Sequence, residues 1–441
     1  MSIGTSILRH EDASLIRGAA TYVADVALPG LLHLRVVRSD VAHGTIASVD
    51  VDEARQLDGV VAVWTAADVE RDRGQIPVIW PRVSFDEAVE PFLQPVLASD
   101  RVRYVGEPVA IVVASDEYAA EDAAELVVVD LEVLEAQLDL EHHGDEPLFA
   151  QGNEVTVLHA DFGDVDAAFA EAAVVVEAEL RTGRHTGVPM ETRGIVVEYD
   201  PLAHGLVVHG STKVPHSNRA QLADHLGIAP SRITMRETAV GGGFGVRGEY
   251  YPEDFLVAWA AWRLKRPVRW IEDRREHLVA ANHSRQQIHH AAMAADSDGR
   301  ILALRSEFWS DHGAYVRSHG VRVPDLTLSM LPGPYDIASY RGLAHCVVTN
   351  RTPTATYRAP GRFESSFVRE RLIDMVAGEL KPGPRRGPTP KSDPSRPAPL
   401  SALPAVDLRA GRVQRGRLPG PARPGAVPRR PRSPGTTPPR R

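Results

Sequence analysis

Two short segments carry most of the chemistry this sequence could perform. Val240-Gly241-Gly242-Gly243-Phe244-Gly245 sets three consecutive glycines before an aromatic residue and a fourth glycine. Such a run costs chain entropy that a plain connection rarely needs, so it reads as a loop whose bare amides approach a bulky polar ligand, a phosphate or a metal-bound oxygen. Extended to Gly248, the same residues fit G-x-G-x-x-G, and Glu272 and Asp273 fall near the spacing of a ribose-binding acid. That alternative would be an NAD-dependent dehydrogenase using Gly243 to Gly248. Against it, Gly248 to Tyr251 separate the motif from the next helical pattern, whereas a dinucleotide loop opens the helix itself. The second segment, Thr356-Tyr357-Arg358-Ala359-Pro360-Gly361-Arg362, places two guanidinium groups around a turn, which suits an oxyanion or a carbonyl. Its plain alternative is a solvated loop ion-paired to Glu364. The adjacent pairs His142-His143 and His289-His290 point apart on a strand and lack partners at ligand spacing, so they read as exposed or satisfied histidines. Cys346, in an apolar run, reads as a core residue, and Glu53 and Asp58 as solvated acids.

The elements that must position these loops follow from periodicity and punctuation. Residues 32–37 and Val60–Thr65 read as strands, and Pro108–Ala114 is a continuous apolar run that suits a strand buried on both faces. Ser115 and Asp116 cap a helix over 117–126, and β-branched residues return over 126–133. Residues 141–153 are polar and broken by Gly144, Pro147 and Gly152, as a linker is. Beyond it come a short helix (164–172), a strand (174–181), a helix with Pro215 near its start and Gly227 past its end (214–226), and a strand (233–240). Pro252–Leu264 is apolar at helical spacing, Asp296 to Gly299 form a hairpin turn, and 363–379 make a final helix. Fold class is mixed α/β, with units at 1–140 and 154–380 and a tail from 381 to 441.

The formal charge of −8 averages two unlike parts. The 61 residues from Lys381 hold 15 basic and 2 acidic groups, 16 of the 34 prolines and no aromatic residue, so they are expected to be disordered. The acidic body argues against nucleic acid as a partner. A basic tail that binds acidic partners, in a non-catalytic protein, is the remaining alternative; the absence of aromatics for stacking on bases weakens it. One cysteine excludes a disulfide framework and an iron–sulfur cluster within this chain. The sequence lacks a signal peptide and a run long enough to span a membrane, so it is expected to be cytoplasmic.

Several motifs occur in order and at family intervals: Tyr22-Val-Ala-Asp25, Ser39-Asp40, Ala42-His43, Tyr104-Val-Gly-Glu-Pro108, the glycine loop, Tyr251-Pro-Glu-Asp254, Trp270 to His277, and Tyr357-Arg-Ala-Pro-Gly-Arg362. They resemble the molybdopterin-binding large subunit of the xanthine dehydrogenase, aldehyde oxidase and carbon monoxide dehydrogenase family, from about residue 8 to about residue 380. The resemblance implies an α/β hammerhead domain followed by the first of two molybdenum-cofactor-binding domains. It implies a molybdenum–molybdopterin cofactor, plain or as the cytosine dinucleotide, and hydroxylation of an aldehyde or N-heterocycle. A pterin dithiolene would supply the sulfur ligands, so no protein ligand to the metal is expected. Gly242, Gly243, Phe244, Gly245, Lys213, Arg358 and Ala359 are carried over as cofactor contacts, with Arg358 orienting the substrate or stabilising charge. An FAD-binding medium subunit and a 2Fe–2S small subunit would complete a hetero-oligomer. Ala359 stands where carbon monoxide dehydrogenases keep a copper-binding cysteine, which argues against that reaction. Lys213 replaces a glutamine common in relatives, and Glu191 in Pro189-Met-Glu-Thr-Arg193 reads as structural. The second cofactor domain, with the glutamate that serves as base, has no counterpart after residue 380. The abrupt change at Lys381 suggests a frameshifted reading of a GC-rich gene, which translation of the other two downstream frames tests.

Overall fold

The computed structural model describes residues 4–82, 87–142 and 146–380. His143 and the segment from 381 onward lie outside them. The largest layer is a seven-stranded mixed sheet in the spatial order Ile233–Glu237, Gly205–Gly210, Gly194–Asp200, Val268–Ile271, Leu32–Arg38, Pro108–Ala114 and Val60–Thr65. Every residue of Pro108–Ala114 is buried, as its continuous apolar run requires. The sheet crosses the two units expected from the sequence. Leu32 and His33 pair in parallel with Val268 and Arg269, joining strands from either side of the 141–153 segment.

Helix Pro252–Leu264 lies in the core of this layer. Proline at its first turn, Asp254 accepting the Tyr251 amide at 2.8 Å and Lys265 in the left-handed conformation set its limits. Phe255, Leu256 and Trp259 are fully buried, each such side chain contributing about 2–3 kcal/mol by removal from water. Trp259 meets Trp64 edge-on at 4.9 Å and donates its indole N–H to Asp72.

A second, five-stranded sheet runs Glu154–Phe162, Ser339–Val347, Ile301–Asp311, Gln287–Ala295 and Val174–Thr182. Helices Arg322–Met330 and Arg362–Glu379 pack on it. Asp296 Oδ1 accepts the Asp298 and Arg300 amides, and Gly299 takes φ +84°, which makes the expected hairpin turn. His289 is buried between Ser306 and Gln287 while its neighbour His290 reaches the exposed side to Glu141. Cys346 is fully buried, and burial raises its thiol pKa. A small sheet of Arg101–Val102, Gly44–Asp50 and Val128–Val133 completes the first unit. Asp116 caps helix Glu117–Glu125 through the Tyr118 and Ala119 amides. The strand read over 233–240 stops at Glu237, and the Ala239 amide beyond it donates to the Thr21 carbonyl. Among the described residues no helix is long and apolar enough to cross a membrane.

Candidate functional site

The glycine loop leaves the edge strand Ile233–Glu237 and is braced from beneath by residues 187–193. Glu191 Oε2 accepts the Gly241 amide and the Arg247 guanidinium, both at 2.8 Å. Arg247 also donates to the carbonyls of Gly242, Glu191 and Thr192. Glu191 therefore shapes the loop. A side chain on Gly241 would strike Glu191, and one on Gly242 would crowd Pro189. Gly242, Phe244 and Gly245 have φ of +102°, +53° and +116°. The phenylalanine value is strained for an L-residue and is imposed by its surroundings.

The arginine-containing loop packs against the glycine loop. Arg358 donates its amide to the Phe244 carbonyl at 2.7 Å, and a side chain on Gly245 would collide with the Thr356 carbonyl. Ala359 is also left-handed, with φ +59°. The arginine that holds this loop is one the sequence did not reveal. Arg285 donates to the carbonyls of Arg358 and Ala359, pairs with buried Glu364 at 3.2 Å, and lies over the rings of Tyr357 and Phe363 at 4.8 and 4.5 Å. In the plain alternative the loop itself pairs with Glu364; among the described residues that pair is made by Arg285. The side chains of Arg358 and Lys213 stay exposed, and the Lys213 amide donates to the Arg247 carbonyl.

The charged residues of the motifs around Arg193, Tyr251–Asp254 and Trp270–His277 form a buried layer below these loops. Arg193 pairs with Glu272 and with Glu253 (3.2 Å), and it lies 3.8 Å over the Tyr251 ring. Arg38 spans Glu253 at 2.5 Å and Glu276 at 2.6 Å. His277 sits between Glu272 at 2.7 Å and the Gly187 carbonyl at 2.8 Å. Burial alone would raise the Glu272 pKa, but the Arg193 charge and the His277 bond bring it down to about 2. Glu276 is pushed up by burial, which Arg38 offsets only in part. The ribose-acid reading of Glu272 and Asp273 is thereby overturned: Glu272 is buried within this network, and Asp273 caps helix Arg274–Ala280 by accepting the Glu276 amide. The dinucleotide geometry fails as well, because a single tight turn, Val246–Gly248, and three further residues stand between the glycines and the helix at Pro252.

Among the described residues, the amides of Gly242, Gly243, Phe244 and Gly245 donate to no other group. A side chain built on Gly243 would meet the Arg247 stem no closer than 3.8 Å. Four bare donors, an open glycine face and the exposed cations Arg358 and Lys213 suit an oxygen-rich anionic ligand. Val188, Met190, Phe244 and Phe363 leave apolar surface exposed around it. Among the described residues, no group of three or more His, Cys, Asp or Glu side chains could hold a metal ion.

The glycine loop braced by Glu191 and Arg247 lies against the tyrosine–arginine loop on a mixed α/β scaffold. Residues 148–385 match the molybdopterin cofactor-binding domain, and residues 17–135 match the aldehyde oxidase and xanthine dehydrogenase a/b hammerhead domain. The chain belongs to this family of molybdenum-dependent xanthine, aldehyde and carbon monoxide dehydrogenase large subunits. It is 42% identical over 384 residues to 6-hydroxypseudooxynicotine dehydrogenase complex subunit gamma of Paenarthrobacter nicotinovorans, covering 86% of this chain and 48% of that one. It is 29% identical to the nicotinate dehydrogenase large molybdopterin subunit of Eubacterium barkeri, covering 86% of each. Quinoline 2-oxidoreductase of Pseudomonas putida 86 superposes with a TM-score of 0.80 at 38% identity, over 86% of this chain and 49% of that one. The chain thus spans about half the length of the first of these relatives and most of the length of the second.

Proposed function

We propose that this chain forms one half of the cofactor and substrate site of a molybdenum hydroxylase that oxidises an N-heterocycle or an aldehyde at carbon. The observation that carries this reading is that the Gly242, Gly243, Phe244 and Gly245 amides donate to no described group, in a loop bonded to the amide of exposed Arg358. When bound, molybdopterin, plain or as its cytosine dinucleotide, supplies a redox metal centre that accepts the electrons of substrate oxidation. Gly242, Gly243, Phe244 and Gly245 would hold it through backbone donors, with Lys213 adding positive charge beside them. Arg358, always protonated and able only to donate, orients a substrate oxygen and stabilises negative charge that develops there. Ala359 offers no thiol, so carbon monoxide oxidation through a copper thiolate is not part of the proposal. The relatives above act, by name, on quinoline, nicotinate and a hydroxylated nicotine derivative, which favours an N-heterocycle over an aldehyde.

The other half of the site is assigned to a polypeptide segment outside this sequence, seated over the exposed Val188, Met190, Phe244 and Phe363 face. An FAD-binding medium subunit and a 2Fe–2S small subunit would carry electrons onward. The test is co-expression with the adjacent genes, followed by metal analysis, pterin fluorescence and turnover on a panel of N-heterocycles and aldehydes. Molybdenum and pterin at near one per complex, with turnover on the heterocycles, is the expected result. A folded complex that holds neither would refute the reading.

A further inference from the structure

We infer that Glu249 and His319 form a positioning pair that fixes one wall of this site by holding His319 in a single tautomer. Gly248 has no side chain, and one built there would meet the Lys213 stem at 3.6 Å, the Thr356 hydroxyl at 3.8 Å and the His319 ring at 3.9 Å. These three groups and Gly248 make a wall beside the two loops. Arg82, from the first unit, donates through Nη2 to the Gly248 carbonyl and to His319 Nε2, each at 3.2 Å. A guanidinium can only donate, so Nε2 accepts and the ring proton resides on Nδ1. That nitrogen faces Glu249 Oε1, which also accepts from the Thr356 hydroxyl at 3.3 Å, one residue before Tyr357.

Glu249 therefore links three segments that are far apart in the chain: the end of the glycine loop, the stretch carrying His319, and the arginine loop. Its carboxyl is completely buried, which would favour the neutral form, but His319, Arg317 and Arg82 around it keep its pKa below the ordinary value. The opposite tautomer would turn N–H against N–H at Arg82 and leave Nδ1 bare before a carboxylate. Arg82 would then release the Gly248 carbonyl, and the wall would lose its register with Thr356 and Arg358. Glu249 touches neither cofactor nor substrate in this scheme. It acts through His319 and Thr356, so its role is positioning.

The inference rests on the reading of this face as the active site, but its test needs no cofactor. The full chain labelled with 15N-histidine is examined by long-range 1H–15N correlation, with the His319 ring assigned through H319Q. The expected result is a protonated Nδ1 and a lone-pair Nε2. E249Q should retain that pattern, because an amide oxygen still accepts, whereas E249L should lose it. E249L should also speed exchange of the Gly248 and Arg358 amides about tenfold, the scale of one lost hydrogen bond, and E249Q by much less. Should E249L fail to fold, the wild-type tautomer and the E249Q comparison still decide. A protonated Nε2 in the wild type, or an E249L spectrum identical to it, would overturn the pair. A chain with the expected tautomer whose complex takes up no molybdopterin would refute the proposed function and leave the pair standing.

Discussion

Glu191→Ala is expected to free the glycine loop without dismantling the sheets beneath it. The substitution removes the acceptor of the Gly241 amide and the carboxylate partner of Arg247, whose side chains are 14% (Glu191) and 6% (Arg247) exposed. Breaking a buried pair by deleting one partner costs about 3–5 kcal/mol. Arg247 keeps three carbonyl acceptors, so the low end applies, about 3 kcal/mol, which corresponds to roughly a hundredfold in a local opening equilibrium. The Arg358 amide reports on this directly, because it donates across the two loops to the Phe244 carbonyl. Hydrogen exchange at that amide should quicken about a hundredfold in Glu191→Ala. In Glu191→Gln, which keeps an acceptor, the loss should be about 1–2 kcal/mol and the acceleration near tenfold. In a double-mutant cycle with Arg247→Met, the two single effects should fail to add. Unchanged Arg358 exchange in Glu191→Ala, with the variant still folded, would refute the claim that this pair sets the loop.

Gly245→Ala places a side chain at φ +116° against the Thr356 carbonyl and should separate the two loops; molybdenum and pterin content of the assembled complex should fall at least tenfold while far-UV dichroism is kept. Arg285→Met strands the buried carboxylate of Glu364 and releases two loop carbonyls, so denaturant unfolding should show a loss of about 3–5 kcal/mol. Glu272, with its folded pKa near 2 and below its unfolded value, contributes stability that is present above about pH 4.5 and lost as the pH falls toward 2. Glu107 has the opposite sign: burial raises it to about 7, so its ionisation should erode stability as the pH rises from about 4.5 to 7. Urea titrations across both windows check this pair of slopes, Arg193→Met abolishing the first and Glu107→Gln the second.

Much of the scaffold was legible because its signals are local. The all-apolar run Pro108–Ala114 announces a strand buried on both faces, and the proline-started, tryptophan-rich run Pro252–Leu264 announces a core helix. Both candidate loops stand out for the same reason, since glycines and arginines concentrate there within a few residues. Their supports were not. Arg285 grips a loop more than seventy positions away and sits among residues that give no hint of it, while two nearer arginines invite the wrong partner for Glu364. Arg82 and His319 meet across a still longer separation. The run from Glu272 to His277 looks like a solvated charged surface, and only packing reveals that Arg38 and Arg193 draw its glutamates inside. Ion pairs of this kind depend on which elements become neighbours, and no periodicity in the chain encodes that.

The parallel pairing of Leu32 with Val268 has a consequence for how the molecule is made. During synthesis the strand Leu32–Arg38 emerges early, but the neighbour for one of its two edges follows only after more than two hundred further residues. At typical translation rates of 5–20 residues per second, that is a delay on the order of ten to fifty seconds. Throughout it, an apolar sheet presents a row of unpaired amides and carbonyls on the nascent chain. Expressed without the second unit, the first should therefore be more prone to aggregate through the unpaired Leu32–His33 edge.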